Sequence, residues 1–348
     1  MTNIQLNPPS PERFDGWWKS PMAITLVIMI TAAVLASLDK GAYVFVNAIV
    51  LGGMLALMAM GLSLMFSVMN IPNFSYGEYF MIGTLAAYFI FTPLKQYLNV
   101  HPNVLLTWIA PMIAIFGAAC AGGLAGAISE KVVFYQLRKR TREQWLLNCF
   151  TLTIGLSVIL INGHQLVFGS DFKGIVNYWD VSPLSLLGVS ISVERIFAFL
   201  LAVVTITLFW AFLKFTKIGK AIRAVSEDEY GALMVGINFD NIQTLTMALS
   251  CGLAGLAGGA LLFMFPSTPT VGISSLYYSW FVIIVVGMGN IAGAGIGGFL
   301  VALIQVLTRV YIGEGLEFVV PSALMIVILV FKPSGIFGGA QVRSIWDR

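Results

Sequence analysis

Long apolar runs separated by short polar interruptions make up most of the chain. Candidate spans fall near 22–38, 42–68, 78–92, 104–128, 145–168, 193–213, 242–265, 273–288, 294–312 and 318–331. Most have roughly the 17–25 residues that a helix needs to cross a bilayer, and the period-two pattern of a β-barrel strand is missing. The spans 78–92 and 318–331 are short enough to be tilted or half-helices. Two junctions stand apart: "NIPNFSYGEYFMIG", Asn70–Gly83, and "GMGNIAGAGIGG", Gly287–Gly298. Irregular backbone at membrane depth is tolerated only where protein or a water-filled cavity satisfies its polar groups. Interruptions in corresponding places of two halves therefore point to a transport pathway. Tight turns at the membrane surface produce the same pattern, so the runs alone leave both readings open.

Composition agrees with the pattern. The 348 residues are 58% hydrophobic and 10% charged, with mean hydropathy +0.90, which excludes a soluble globule with a wet surface. The predicted fold is an all-α, polytopic membrane protein of about 8–10 transmembrane helices with broken or re-entrant segments. GxxxG spacings at Gly122/Gly126, Gly255/Gly259, Gly289/Gly293 and Gly293/Gly297 predict close helix packing within the subunit, a dimer seam being the sharper alternative. Cys120, Cys149 and Cys251 lie in apolar runs at no metal-ligand spacing and read as packing residues. The run Pro21–Leu38 ends in "VLAS", which resembles a cleavage site, yet the tail before it lacks a secretory n-region, and the run reads as a retained first helix.

Lys and Arg favour cytoplasmic loops, and ten spans put both ends on one side. With the N-terminus inside, 14 of the 19 basic residues fall in the cytoplasm, including Lys131, Arg138, Lys139, Arg140, Arg142 and the run from Lys214 to Arg223. Lys40, Lys95, Lys173, Arg195 and Arg309 fall outside.

Ion-coupled transporters keep ionisable groups within their spans. Here Glu78 stands at a span edge, Glu130 and Arg309 near span ends, and the remaining acids read as loop or tail residues. His101 and His164 read as structural histidines. No G-x-x-x-x-G-K-[ST] loop is present, so no ATP or Mg is expected in this chain, nor any other cofactor or metal. Any motor for active transport is another chain. The segment "KFTKIGKAIRAVSEDEYGALMVGINFDN", Lys214–Asn241, is where one would push. Ser226 followed by Glu229 spells a capping box, Glu227 and Asp228 complement a helix N-terminus, and Gly236 stops it. A helix of about two to three turns follows, with Ala232, Leu233 and Val235 available for contact. It either covers its own bundle or docks a partner.

These same stretches carry a resemblance. "GLSLMFSVMNIPNFSYGEYFMIGTLAAY", "GKAIRAVSEDEYGALMVGIN" and "AGLAGGALLFMF...VVGMGNIAGAGIGG" resemble, in order, three motifs of the permease subunits of bacterial branched-chain amino acid ABC importers. The likeness runs from about Val46 to Gly338 and is closer to the shorter permease of the pair than to its longer partner. It implies a permease domain over 21–338, with a cytoplasmic coupling loop at 214–241 and cytoplasmic tails at 1–20 and 339–348, in a bacterial inner membrane. It implies a translocation route at Asn70, Asn73, Phe74, Ser75, Tyr76, Gly77, Glu78, Gly289 and Asn290. ATPase coupling falls to Arg223, Ala224, Glu227, Asp228, Gly231, Ala232 and Gly236. The implied partners are a second permease subunit, two ATPase subunits that bind ATP and Mg, a periplasmic solute-binding protein and membrane lipid, with no nucleic acid. The chain departs from the family pattern at Met288 and Asn290, and at "SY" within "NFSYG". The expected cargo is a branched-chain or other amino acid. Urea, short amides, carboxylic acids, or passive passage of a small neutral solute are the alternatives.

Overall fold

The computed structural model describes residues 21–140, 145–175, 178–179, 181–186 and 189–338. Both expected tails, and with them Arg13, Lys19, Arg343 and Arg348, lie outside the described residues, as does Arg142. Ten helices replace the ten apolar runs: α1 (Pro21–Lys40), α2 (Tyr43–Met69), α3 (Tyr76–Val100), α4 (Val104–Ser129), α6 (Trp145–Phe168), α7 (Val193–Phe215), α10 (Phe239–Leu261), α11 (Val271–Val286), α12 (Ile291–Tyr311) and α13 (Val319–Phe331). Three short α-helices, α5 (Tyr135–Arg140), α8 (Lys217–Glu227) and α9 (Glu229–Met234), a π-helical turn at Glu130–Phe134 and a 3-10 turn at Glu314–Leu316 complete the described set. Eight of the described helical stretches are long and apolar enough to cross a membrane. The span expected at 78–92 is longer, because α3 runs through Pro93 to Val100. Extended pairing among the described residues is confined to a two-stranded hairpin, β1 (Leu184–Leu186) and β2 (Val189–Ile191), with Leu184 opposite Ile191, and a single antiparallel bridge between Lys173 and Ser267.

The central pillar is α2. A helix that is apolar all round belongs inside, and α2 is buried on every side from Gly52 to Leu64. Its neighbours include α7, α10, α11 and α12. Along α12 it runs antiparallel at backbone contact. A Cβ on Gly52 would strike Phe299, with the Phe299 Cα at 2.9 Å; one on Gly298 would strike the Ala56 backbone; one on Gly295 meets Met60. The pair α4 and α10 is built the same way. Gly126 meets Met247 and Cys251, Gly122 meets Cys251 and Gly255, and Gly255 and Gly259 meet Ala118. Close packing within the subunit is thus what the glycine spacings at 122/126 and 255/259 achieve. Cys149 and Cys251 are buried packing residues, whereas Cys120 is exposed.

These two pairings expose an inverted repeat. The unit α2–α3–α4 corresponds to α10–α11–α12: α2 packs on α12 as α10 packs on α4, α11 packs on α2 as α3 packs on α10, and α3 meets α11. Since α10 runs opposite to α2, the two units have opposite senses. In each, a full-length helix is followed by a break and then by a helix that starts at depth. The break equivalent to 70–75 is therefore 262–270, between α10 and α11, and not Gly287–Gly298. Only 287–290 of the latter is irregular, and it is a tight turn followed by α12: Gly287 (φ +117°) and Gly289 (φ +86°) reverse the chain, and the Asn290 side chain caps α12 by accepting from the Gly293 N–H at 2.8 Å. The segment 262–270 escapes sequence reading because Leu262–Phe265 extend the apolar run of α10.

The glycine contacts make opposite predictions for similar changes. Gly255→Ala places a methyl into Ala118 O and Gly122 Cα, and is expected to cost about 1–3 kcal/mol despite the better helix former. Gly155→Ala on α6 meets nothing within 4 Å and is expected to be neutral or stabilising. Thermal unfolding of the purified variants checks the sign of both.

Candidate functional site

Asn70 ends α2 in the left-handed conformation (φ 52°), which Asn tolerates better than other residues with a Cβ. From there the chain turns back into the bundle. The Asn73 Oδ1 accepts from both the N–H and the hydroxyl of Ser75, at 2.9 and 2.7 Å. Phe74 stacks on Trp280 of α11 at 5.4 Å and meets Phe150 of α6 edge-on at 5.1 Å. The Tyr76 hydroxyl then reaches the carbonyls of Ser250 (3.0 Å) and Met58 (3.2 Å), in mid-α10 and mid-α2. Met58 lies about 16 Å up α2 from its last residue at 1.5 Å per residue, so α3 begins near the middle of the bundle. The break is genuinely re-entrant.

At that level Gly77 touches Gly272, the second residue of α11, backbone to backbone. The N-termini of two helices of opposite sense meet there, and each contributes partial positive charge. Glu78, in the first turn of α3, is fully buried; its Oε1 accepts from the Ser157 hydroxyl at 2.7 Å, at the centre of α6. Its other oxygen has no partner among the described residues. A carboxyl held in this way inside a membrane bundle is a functional group by default.

Glu78 is accompanied by a second buried acid that sequence reading assigned to a loop. Glu194, in the first turn of α7, is 4% exposed and accepts from the Trp179 N–H at 3.3 Å. Glu130 is also buried, and Arg138 pairs with it at 2.6 Å across the π-helical turn Glu130–Phe134. His101 is exposed and stacks on Tyr97, while His164 is buried against Phe168 with its Nδ1 unpartnered among the described residues.

The segment 214–241 is not one capped helix but two. Thr216 caps α8 by accepting from the Gly219 N–H at 3.0 Å; the buried stripe Gly219, Ile222 and Val225 seats α8 against α7, α2 and α10. Ser226 lies in the last turn of α8, where its hydroxyl donates to the Arg223 carbonyl at 2.8 Å. The cap of α9 is Asp228, which accepts from the Tyr230 N–H at 3.1 Å. The Ser-x-x-Glu spelling misleads because the Ser226 backbone is already helical, while Asp228, two residues on, has the extended backbone a cap requires (φ −151°, ψ 104°). Gly231 is small for the cap's sake, since a Cβ would lie 2.5 Å from the Asp228 carboxylate. Gly236 (φ +83°) ends α9 as expected, with its N–H on Leu233 O and that of Ile237 on Ala232 O. Ala232 is not available for contact: it is 4% exposed, part of the core. Leu233, Met234 and Val235 are the exposed apolar side chains, at 46%, 89% and 77%.

Gly289 and Asn290 are parted from the Asn70–Glu78 cluster and joined to the other set. They line a cavity of about 500 Å³ with Lys214, Arg223 and Glu227. Here the Arg223 guanidinium donates to the Lys214 carbonyl at 3.3 Å. Ala224, half-buried on α8, packs against the core. The turn after α11 is further held by the Ile336 and Phe337 N–H groups, which donate to Val285 O and Val286 O at 2.8 and 3.1 Å. Sequence reading missed Ser157, Phe150 and Trp280 as partners of the break. A lone hydroxyl or ring in an apolar helix carries no mark of what it faces.

Comparison with known proteins bears on the whole of this architecture. A family model described as branched-chain amino acid transport system / permease component matches residues 44–329. The high-affinity branched-chain amino acid transport system permease protein LivH of Salmonella typhimurium is 26% identical over 86% of this chain and 96% of its own length. BraD of Pseudomonas aeruginosa, with the same description, is 28% identical over 86% and 96%. A probable branched-chain amino acid transport permease protein LivH of Methanocaldococcus jannaschii is 29% identical over 84% and 91%. No solved structure matches. The matched region runs from the start of α2 almost to the end of α13 and so contains both inverted units and the α8–α9 segment between them. The chain belongs to the permease-component family of branched-chain amino acid transport systems.

Proposed function

We propose that this chain is the permease subunit of an ATP-driven importer for a branched-chain or similar small amino acid. In this reading α9 seats in a groove of a cytoplasmic ATPase. The observation that carries it is the exposed apolar triplet Leu233, Met234 and Val235 on a doubly capped segment outside the bundle. A lid over its own helices would turn such side chains inward; only Ala232 does so. The helix α8, which leads directly into α9, lines one cavity together with the α11–α12 turn, so a push on α9 is passed by way of α8 toward α12. The working complex pairs this subunit with a second permease, two ATPases that bind ATP and Mg, and a solute-binding protein at the end bearing the β1–β2 hairpin. The α8–α9 end is cytoplasmic in a bacterial inner membrane, and the break at Asn70–Glu78 forms part of the route. Relatives named as branched-chain amino acid permeases support the cargo class.

Burying an apolar side chain contributes about 1.5–3 kcal/mol, so Leu233→Asp with Met234→Asp is expected to lower ATPase affinity and uptake by at least roughly tenfold. The variant should reach the membrane in normal amount. Unchanged ATPase co-purification and uptake would reduce α9 to a lid. Ala232→Trp is the wrong probe, because it wedges the chain's own core.

For orientation, a reporter fused after Arg140 is expected to read cytoplasmic and one after Lys173 periplasmic. The opposite reading at both positions places α9 on the wrong side for an ATPase.

Ser75 is fully buried, so a route through the break requires the bundle to part there. In a background lacking Cys120, Cys149 and Cys251, Ser75→Cys is expected to resist water-soluble thiol reagents at rest and to react during ATP turnover. Protection throughout the cycle removes the break from the route.

A further inference from the structure

At the end opposite α8 and α9, a cavity of about 360 Å³ opens between α2, α7, α12 and the re-entrant segment 262–270. Its size suits a small organic molecule. Apolar side chains, among them Val50, Leu51, Met264 and Val306, supply much of its wall. Two guanidinium groups, those of Arg195 and Arg309, also line it, and among the described residues no Asp or Glu does.

The two arginines differ in their partners. Arg309 is paired with Glu317 at 2.6 Å. Arg195 donates to the Asn47 Oδ1 at 2.7 Å and lies over the Phe265 ring at 5.9 Å; among the described residues no carboxylate meets it. A half-buried guanidinium whose only hydrogen-bonded partner is a neutral amide still has most of its donor fork to offer, and that fork matches a carboxylate. The N-terminus of α11, at Val271, faces the same space and adds its partial positive charge. Gln305 is 9% exposed, lines the cavity, and makes no side-chain hydrogen bond among the described residues. Its amide and the Tyr43 hydroxyl are neutral acceptors for an ammonium group.

We infer that this cavity is a binding site for the carboxylate of a small amino acid with a branched apolar body, held by Arg195, with the apolar wall taking the side chain. The inference rests on the importer reading for its direction: solute enters at this end. Val271 in the cavity wall is followed by Gly272, the residue that touches Gly77 beside Glu78.

Equilibrium binding to the full-length chain, purified with its accompanying subunits, tests the assignment with three probes. L-Leucine and 4-methylpentanoate carry the carboxylate, and leucinol lacks it. Both carboxylates are expected to bind and leucinol to bind at least roughly tenfold more weakly. Arg195→Gln removes the cation but also a helix contact. Asn47→Asp keeps the hydrogen bond to Arg195 while supplying a built-in counter-charge, and is expected to weaken both carboxylates at least roughly tenfold at unchanged thermal stability. Leucinol binding like leucine, or Asn47→Asp binding like wild type, overturns the site. The two readings separate in proteoliposomes. ATP-driven leucine uptake that is indifferent to Asn47→Asp overturns the site and leaves the importer. Leucine binding without ATP-driven uptake supports the site and removes the importer.

Discussion

The contact between Gly77 and Gly272 sets the terms for the rest of the molecule. Two helices that begin inside a membrane bundle bring unpaired N–H groups with them, and in hydrocarbon each such group costs several kcal/mol. Meeting backbone to backbone, without a Cβ on either side, lets α3 and α11 shelter one another's ends. The surrounding side chains complete the shelter: Asn73 answers the backbone of the break, Tyr76 ties it to carbonyls of α2 and α10, and Glu78, in the first turn of α3, accepts from Ser157 of α6. A larger residue at either glycine would part the two inverted units where their re-entrant helices meet.

The same logic explains why glycine, and not polar chemistry, supplies most of the architecture. Lipid offers no hydrophobic drive for helix association, so α4 and α10, like α2 and α12, gain their contact energy from close approach. Charge is left for the places where the packing must be specific or must change: Arg138 with Glu130 and Asp240 at one end, Arg309 with Glu317 at the other.

How far the sequence was legible follows from these physical differences. The ten apolar runs announce ten helices because length and hydropathy are local properties. The NIPNFSYG break is legible because Asn, Pro and Gly are strong local signals. The matching break at 262–270 is hidden, since Leu262, Phe263, Met264 and Phe265 are as apolar as the helix before them, and only the fold reveals that Pro266 and Pro269 belong to a re-entrant turn. The capping box at Ser226 fails for a related reason: two caps compete within three residues, and the winner is decided by where α8 stops, which depends on its seat against α2 and α10. Likewise, neither Ala232 in the core nor Arg195 in its cavity is distinguishable by spacing from an exposed neighbour.

The burial of α2 also has a bearing on how the chain is made. Gly52 and Ala56 wait for Phe299 and Gly298, which lie on a helix near the other end of the chain. At a synthesis rate of about 5–20 residues per second, the partner surface emerges some tens of seconds after α2 has entered the membrane. For that interval the pillar of the structure is a helix without its chief neighbour, its glycine face open to lipid and to any other small-residue surface nearby. Assembly of this protein is therefore a matter of guarding an early helix until a late one arrives, and a shortened chain that ends before α12 would carry that open face permanently.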